Sequence, residues 1–111
     1  MGRRKEMIKT SGFSVFPEEV EGYIDRHEAV AKSVIIGKPD ERRGDAIKAF
    51  VVLKNEYKGK ITEQEIIDWC KERMATYKVP RELEFRDSVP YGNTGKLLRR
   101  VLRDEEMQKS Q

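Results

Sequence analysis

Residues 31–53 have the sequence AKSVIIGKPDERRGDAIKAFVVL, which is the most informative part of the chain for its architecture. The two ends of this stretch, residues 31–37 and 46–53, are rich in Val and Ile, which favour strands. Between them lie Pro39, Gly44 and several charged residues, a composition typical of turns. The stretch therefore predicts two strands joined by a charged turn.

Three helices are predicted around these strands. Pro17 suits the first position of a helix over residues 18–28. Its buried stripe is predicted to contain Val20, Tyr23, Ile24 and His27. Thr62 and Glu65 form a capping box for a second helix that runs to about residue 75. A third helix follows the turn at residues 91–95. Its predicted apolar face consists of Leu97, Leu98, Val101 and Leu102.

Two further segments complete the set. Residues 7–15 place Ser11-Gly12 between short apolar positions, which predicts a β-hairpin. Leu83 and Phe85 alternate with polar neighbours, which predicts a third strand. The order is then hairpin, helix, two strands, helix, strand, helix. We expect an α+β fold in which a small three-stranded sheet is covered by helices and an N-terminal β-hairpin precedes it.

Composition narrows the class of protein. A chain of 111 residues suits one compact domain, and its 23 Lys and Arg against 20 Asp and Glu do not demand a polyanionic partner. Cys70 is the only cysteine and His27 the only histidine, so no internal disulfide and no Cys/His zinc site is expected. There is neither a signal-peptide pattern nor an apolar run of about 20 residues. We therefore expect a cytoplasmic protein with no integral membrane segment and no bound metal.

Lys96 is the best-presented candidate for chemistry. The segment GNTGK at residues 92–96 superficially resembles a phosphate loop, but it has two residues between its glycines instead of four, and Leu97 follows the lysine. What remains is a glycine turn that presents an ammonium group at the start of a helix, where anions are favoured. From spacing alone, a solvated lysine beside a turn is the commoner explanation.

The other candidates have simple structural explanations. Arg99, Arg100 and Arg103 would give the last helix a basic face, which a solvated amphipathic helix explains more readily than a phosphate-binding surface. Cys70 falls on an apolar stripe and is predicted to be a core thiol. His27 is predicted to pack on a helix face without an acid–base partner. These residues contain no complete active site, so any catalytic role would add groups to a site built elsewhere.

Seven motifs together resemble the C-terminal domain of the AMP-forming acyl-CoA synthetases, a superfamily that includes peptide-synthetase adenylation domains and firefly luciferase. They are GRRKEMIK (2–9), SGF (11–13), PEEVE (17–21), VIIGKPD (34–40), GDAIKAFVV (44–52), YKVP (77–80) and GKLLRR (95–100). They occur in family order and at family spacing from Gly2 to about Glu105. The sequences of these motifs are most similar to those of fatty-acyl-CoA ligases.

The resemblance implies a reaction in two halves. A carboxylate attacks ATP to give an acyl-adenylate and pyrophosphate, and a thiol, usually that of coenzyme A, then displaces AMP. ATP and Mg²⁺ would bind mainly to a large N-terminal AMP-binding domain, and the small domain would turn about a hinge between the halves. Residues 1–15 would be the hinge segment and hairpin, and residues 16–111 the small domain. Because the match begins at the family's junction, we expect the small domain alone, inactive by itself.

The resemblance also implies roles for individual residues. Lys96 matches the adenylation lysine, which lies near the attacking carboxylate and the α-phosphate. Lys5 matches the hinge position, and Arg3 matches an arginine that contacts the nucleotide ribose. The thioester-forming face would comprise Lys9, Ser11, Gly12 and Phe13. Ser14 departs from the longer polar or basic residue common in the family, and Tyr91-Gly92 replaces a frequent Lys-Thr.

Two alternatives remain open on the sequence. One is a free-standing interaction module of the same fold that binds protein or nucleic acid through the basic C-terminal helix. Salt-sensitive binding to oligonucleotides would favour it. The other is an enzyme that passes the acyl group to a carrier-protein thiol instead of coenzyme A, with the same residues in place. The leading hypothesis expects small-molecule partners and no nucleic acid.

Overall fold

The computed structural model describes residues 7–40, 44–89 and 95–109. Its strands are β1 (Ile8–Thr10), β2 (Phe13–Val15), β3 (Val30–Asp40), β4 (Gly44–Leu53) and β5 (Glu82–Arg86). Its α-helices are α1 (Pro17–Ile24), α2 (Glu63–Arg73) and α3 (Gly95–Lys109). Short 3₁₀ turns occupy Asn55–Tyr57 and Thr76–Lys78. The predicted α+β class and the predicted order of elements are confirmed.

The strands form one mixed sheet with β4 at its centre. β3 pairs with β4 in antiparallel fashion over almost its whole length, and β5 pairs with the other edge of β4 in parallel. The hairpin β1–β2 joins the same sheet, because Thr10 pairs with Gly44 at the start of β4. The sheet therefore has five strands among the described residues and not the three predicted, because the predicted hairpin is part of it.

The two faces of the sheet bury different helices, because side chains alternate along a strand. Ile35, Ala49 and Val51 belong to the core beneath α1 and α2. Val34 and Phe50 point to the other face, where they pack with two leucines of α3. Layers of helix, sheet and helix result, and α3 is the only α-helix seen on its face within residues 7–40, 44–89 and 95–109.

Local chemistry explains where α2 begins and ends. The Thr62 hydroxyl accepts a hydrogen bond of 3.2 Å from the backbone N–H of Glu65, as the capping box predicts. Glu63 and Glu65 lie in the first turn and Lys71 and Arg73 in the last, which complements the helix dipole. Ile66 and Cys70 are fully buried, so one face of α2 closes the core.

Two boundaries differ from the sequence prediction. α1 ends at Ile24 and not at residue 28, because the backbone N–H of His27 bonds to the Ile24 carbonyl and turns the chain towards β3. His27 therefore lies beyond the helix. The charged turn is shorter than predicted, since β3 continues to Asp40 and β4 starts at Gly44.

Candidate functional site

Lys96 is the second residue of α3, and the structure describes it only by this place in the helix. The turn that follows it is held to the sheet at two points. Leu98 is 2% exposed and packs against Val34 and Phe50. Arg99 is also buried, at 4% exposed. The backbone that carries Lys96 is therefore anchored within three residues.

The guanidinium of Arg99 pairs with the carboxylate of Glu21 on α1. Its Nε lies 2.8 Å from Glu21 Oε2 and one terminal nitrogen lies 2.7 Å from Oε1, a bidentate geometry. The backbone N–H of Ile35 donates to the same Oε2 at 2.8 Å. Ile35 belongs to the edge strand β3, so the Glu21 carboxylate links α1, β3 and α3.

The predicted basic face of α3 is therefore only partly a solvated surface. Arg99 is buried in its pair with Glu21, and the Nε of Arg103 donates to the Gly37 carbonyl at 2.9 Å. These contacts cover outward-facing backbone groups of β3, which would otherwise form an open sheet edge. Arg100 is exposed. Arg103 is exposed as well, so the interpretation as a solvated surface was wrong for Arg99 alone. The basic surface on which the interaction-module alternative rests is smaller by that residue.

The turn between β1 and β2 presents the four residues of the predicted thioester-forming face at the surface. Ser11 has φ of 52° and Gly12 has φ of 83°. Positive φ at both central residues characterises the type I′ turn that favours tight hairpins. Lys9, Ser11, Gly12 and Phe13 are all exposed. The structure thus places them together, while their roles stay a prediction.

Phe13 is held in place by an aromatic neighbour from a distant part of the chain. Its ring stacks on Tyr77 with a centroid separation of 4.1 Å and an interplanar angle of 10°. A depression of about 410 Å³ lies beside the pair. It is lined by Thr10, Ser11, Phe13, Ile47, Thr76, Tyr77, Val79 and Arg81. The hairpin turn is therefore the rim of a concave surface.

The arginines of α3 line a different depression of about 450 Å³, together with Ile8, Pro17 and Gly37. This depression and the one beside Phe13 share no lining residue. The predicted thioester-forming turn and the arginines of α3 therefore border separate surfaces. Arg3 and Lys5, the predicted nucleotide and hinge residues, lie outside the described residues.

Cys70 and His27 are structural. Burial raises the pKa of the Cys70 thiol to about 11, which disfavours the nucleophilic thiolate and confirms the predicted core thiol. His27 Nδ1 accepts a 3.0 Å hydrogen bond from the backbone N–H of Ala29, and its ring meets Trp69 edge to face. Burial lowers the pKa of His27.

Nowhere in residues 7–40, 44–89 and 95–109 do three or more His, Cys, Asp or Glu side chains cluster as a metal ion would require. In the same ranges, each helix is too short or too polar to pass through a membrane.

Comparison with known proteins identifies the class. The family model described as the AMP-binding enzyme C-terminal domain matches residues 19–96, and the chain belongs to this family. The resemblance inferred from the motifs is confirmed. The matched segment ends at Lys96, the predicted adenylation residue.

Individual relatives share this class. The chain is 47% identical over 105 residues to a long-chain-fatty-acid–CoA ligase of Yersinia pestis, covering 95% of the chain and 18% of the relative. Its fold is similar to that of a Brucella canis acyl-CoA synthetase, with a TM-score of 0.86 and 31% identity over 100% of the chain and 21% of the other. A Mycobacterium tuberculosis fatty acyl CoA synthetase gives 0.81 and 35%, covering 93% and 20%. The chain spans about a fifth of the length of these relatives.

Sequence reasoning missed two residues that shape these surfaces. Tyr77 was noted only as part of a motif, although it stacks on Phe13. Glu21 was likewise only a motif residue, although three hydrogen bonds converge on its carboxylate. A usable signal for Glu21 is that it follows the buried Val20 directly. A charged residue beside the buried stripe of a short helix is a candidate for a paired, half-buried group.

Proposed function

We propose that this chain is the C-terminal domain of an ATP-dependent, AMP-forming acyl-CoA ligase, with a fatty acid as the acyl substrate. The single observation that carries the proposal is the family match over residues 19–96 in a chain 47% identical to a long-chain-fatty-acid–CoA ligase. Residues 1–15 are assigned to the hinge segment and hairpin, and residues 16–111 to the small domain.

In this proposal, Lys96 acts in adenylation. Its ammonium orients the attacking carboxylate and the α-phosphate, and it offsets the negative charge that develops in the transition state. Arg3 contacts the nucleotide ribose at the junction, and Lys5 is the hinge residue. Each of these assignments follows from the position of the residue in a family motif.

The second half-reaction uses the hairpin surface. Lys9, Ser11, Gly12 and Phe13 face the large domain in the thioester-forming state. Gly12 has no side chain and a φ of 83°, so backbone can pass close to the pantetheine arm of coenzyme A.

The remaining partners belong to the large domain. ATP and Mg²⁺ bind there in this proposal, and coenzyme A is the substrate of the second step. The proposed enzyme works in the cytoplasm on small-molecule substrates, without nucleic acid. The small domain is inactive alone because the ATP and acyl sites lie elsewhere.

A chimeric enzyme tests the proposal. The N-terminal four-fifths or so of the Yersinia pestis ligase, the part that this chain does not match, is joined to residues 1–111. We expect AMP and acyl-CoA to form from ATP, a long-chain fatty acid and coenzyme A. The truncated ligase without a small domain is the blank, and the intact ligase is the positive control.

The Lys96→Ala variant of the chimera separates the two half-reactions. Loss of one preorganised donor typically costs about 10²–10³ in rate, and we expect that loss in adenylation. Thioester formation from supplied acyl-adenylate should stay close to its original rate. A folded chimera without ligase activity, or a Lys96→Ala variant that loses both halves equally, would contradict the proposal.

A further inference from the structure

The junction of Glu21 and Arg99 lies one helical turn after Lys96. Arg99 is 4% exposed, and the Glu21 carboxylate accepts two hydrogen bonds from its guanidinium and one from the Ile35 N–H. Glu21 and Arg99 are 78 residues apart in sequence and belong to helices on opposite faces of the sheet. The pair joins these helices around the edge strand β3.

Such a pair is better suited to setting a position than to adding stability. Desolvation of two charges offsets most of their attraction, so apolar residues of similar size would often stabilise a fold equally well. Leu98 and Leu102 already bury α3 against the sheet. Apolar packing is non-directional, however, whereas a bidentate guanidinium–carboxylate pair fixes both distance and orientation.

The backbone of Ile35 supplies the reference point for that orientation. Its N–H fixes Glu21 Oε2 at 2.8 Å, and the same oxygen receives Arg99 Nε at 2.8 Å. These hydrogen bonds fix the position of the first turn of α3 relative to β3. A second, separate link exists far along α3, where Glu105 pairs with Arg86 of β5 at 3.4 Å.

We infer that Glu21 and Arg99 are positioning residues for Lys96: their pair sets the place of the first turn of α3 and so the reach of the adenylation lysine. The inference rests on the proposed function. A catalytic ammonium must meet its target closely, and a displacement of about 1 Å can cost on the order of 10² in rate. Loss of the pair should therefore impair adenylation more than thioester formation.

The test uses the chimeric ligase described above with three variants of the pair. Arg99→Met keeps the bulk and removes the hydrogen bonds. Arg99→Lys keeps the positive charge but cannot make the bidentate contact of the guanidinium. Glu21→Gln can keep its bonds to Ile35 N–H and Arg99 Nε on one oxygen while it loses the third bond and the charge. Glu105→Gln is the matched control, because it removes the charge of an Arg–Glu link at the far end of the same helix and leaves the other contacts of Arg86 in place.

Adenylation is followed by ATP–pyrophosphate exchange, and thioester formation by the reaction of supplied acyl-adenylate with coenzyme A. We expect Arg99→Met to lower kcat for adenylation by about 10–100-fold, with KM for ATP within about threefold and thioester formation within about twofold. Arg99→Lys and Glu21→Gln should fall between Arg99→Met and the unchanged chimera. Glu105→Gln should leave the ratio of the two rates unchanged.

Each other outcome has a definite meaning. Equal losses in both half-reactions, or the same selective loss in Glu105→Gln, would overturn the inference and leave the pair a purely structural link. If Lys96→Ala loses adenylation while the pair variants keep it, the inference fails and the proposed function stands. If Lys96→Ala keeps adenylation, the proposed role of Lys96 fails independently. Should Arg99→Met not fold, Glu21→Gln and Arg99→Lys decide the question by the same ratio.

Discussion

Lys48 occupies a buried position on the α3 face of β4, and its replacement by Met should destabilise the fold by removing one of the two lysines that pair with Glu106. Its side chain is 6% exposed. The ammonium lies 2.8 Å from Glu106 of α3 and 3.1 Å from Glu84 of β5. Glu106 itself is 7% exposed and also pairs with Lys38 at 3.1 Å. Lys48→Met keeps the apolar stem and removes the charge.

The loss of stability expected for Lys48→Met depends on the contacts that Glu106 keeps. Removal of one partner from a buried ion pair typically costs about 3–5 kcal/mol, because the other charge stays buried. Lys38 remains beside Glu106, so we reduce the expected loss to about 2–3 kcal/mol. Lys38→Met, which removes a more exposed ammonium, should cost about 1 kcal/mol or less.

Urea unfolding of the chain, followed by Trp69 fluorescence and far-ultraviolet circular dichroism, measures these losses. The double variant Lys48→Met/Glu106→Leu replaces both charges with apolar groups. It should be at least about 1 kcal/mol more stable than Lys48→Met alone. A loss below about 1 kcal/mol for Lys48→Met, or a double variant less stable than the single one, would refute the account of a buried, coupled pair.

Burial alone would raise the pKa of Glu106, but hydrogen bonds from Lys48 and Lys38 outweigh it and hold the pKa below its usual 4.5. The contribution of Glu106 to the free energy of unfolding is therefore present above that pH and lost as pH falls through the folded pKa. The stability difference between the chain and Glu106→Gln should shrink with acidification. The pKa of Cys70, at about 11, predicts slow labelling by thiol reagents at pH 8 in the folded chain and rapid labelling in urea. Thr62→Ala should cost about 1 kcal/mol in urea unfolding through loss of the helix cap, whereas Thr62→Ser should cost little.

Most element types were predictable because their signals are local. The Thr62 cap and the Val- and Ile-rich stretches lie within a few residues of the structure they specify, and each element was found in place. Strand pairing was harder to predict from the sequence. The alternation of Leu83 and Phe85 predicts a strand but not its partner, and β5 proves to be parallel to β4. Among the described residues, the hairpin joins the sheet through the pair of Thr10 with Gly44, which no local pattern signals.

Polar residues on α3 show the limit of periodicity most clearly. Leu98 and Leu102 were predicted to be buried and are, whereas Leu97, placed on the same face, is 59% exposed. Glu106 continues the buried stripe in steps of four residues. It is itself buried, because its carboxylate pairs with Lys48 and Lys38 on the sheet. Periodicity identifies the face of a helix. It does not indicate whether a charge on that face will meet an opposite charge.

The motifs of the linear chain were enough to identify the family, the α+β class and Lys96 as the candidate adenylation residue, because each depends on residues that are neighbours in sequence. The environment of that lysine depends on contacts across the fold. The sequence alone favours a solvated Arg99, whereas the fold brings Glu21, 78 positions away, to 2.7 Å from it. The stack of Phe13 on Tyr77 also joins residues that are remote in sequence. Burial and pairing of charges are properties of the assembled layers, so only the folded structure could distinguish the anchored arginine from an exposed one.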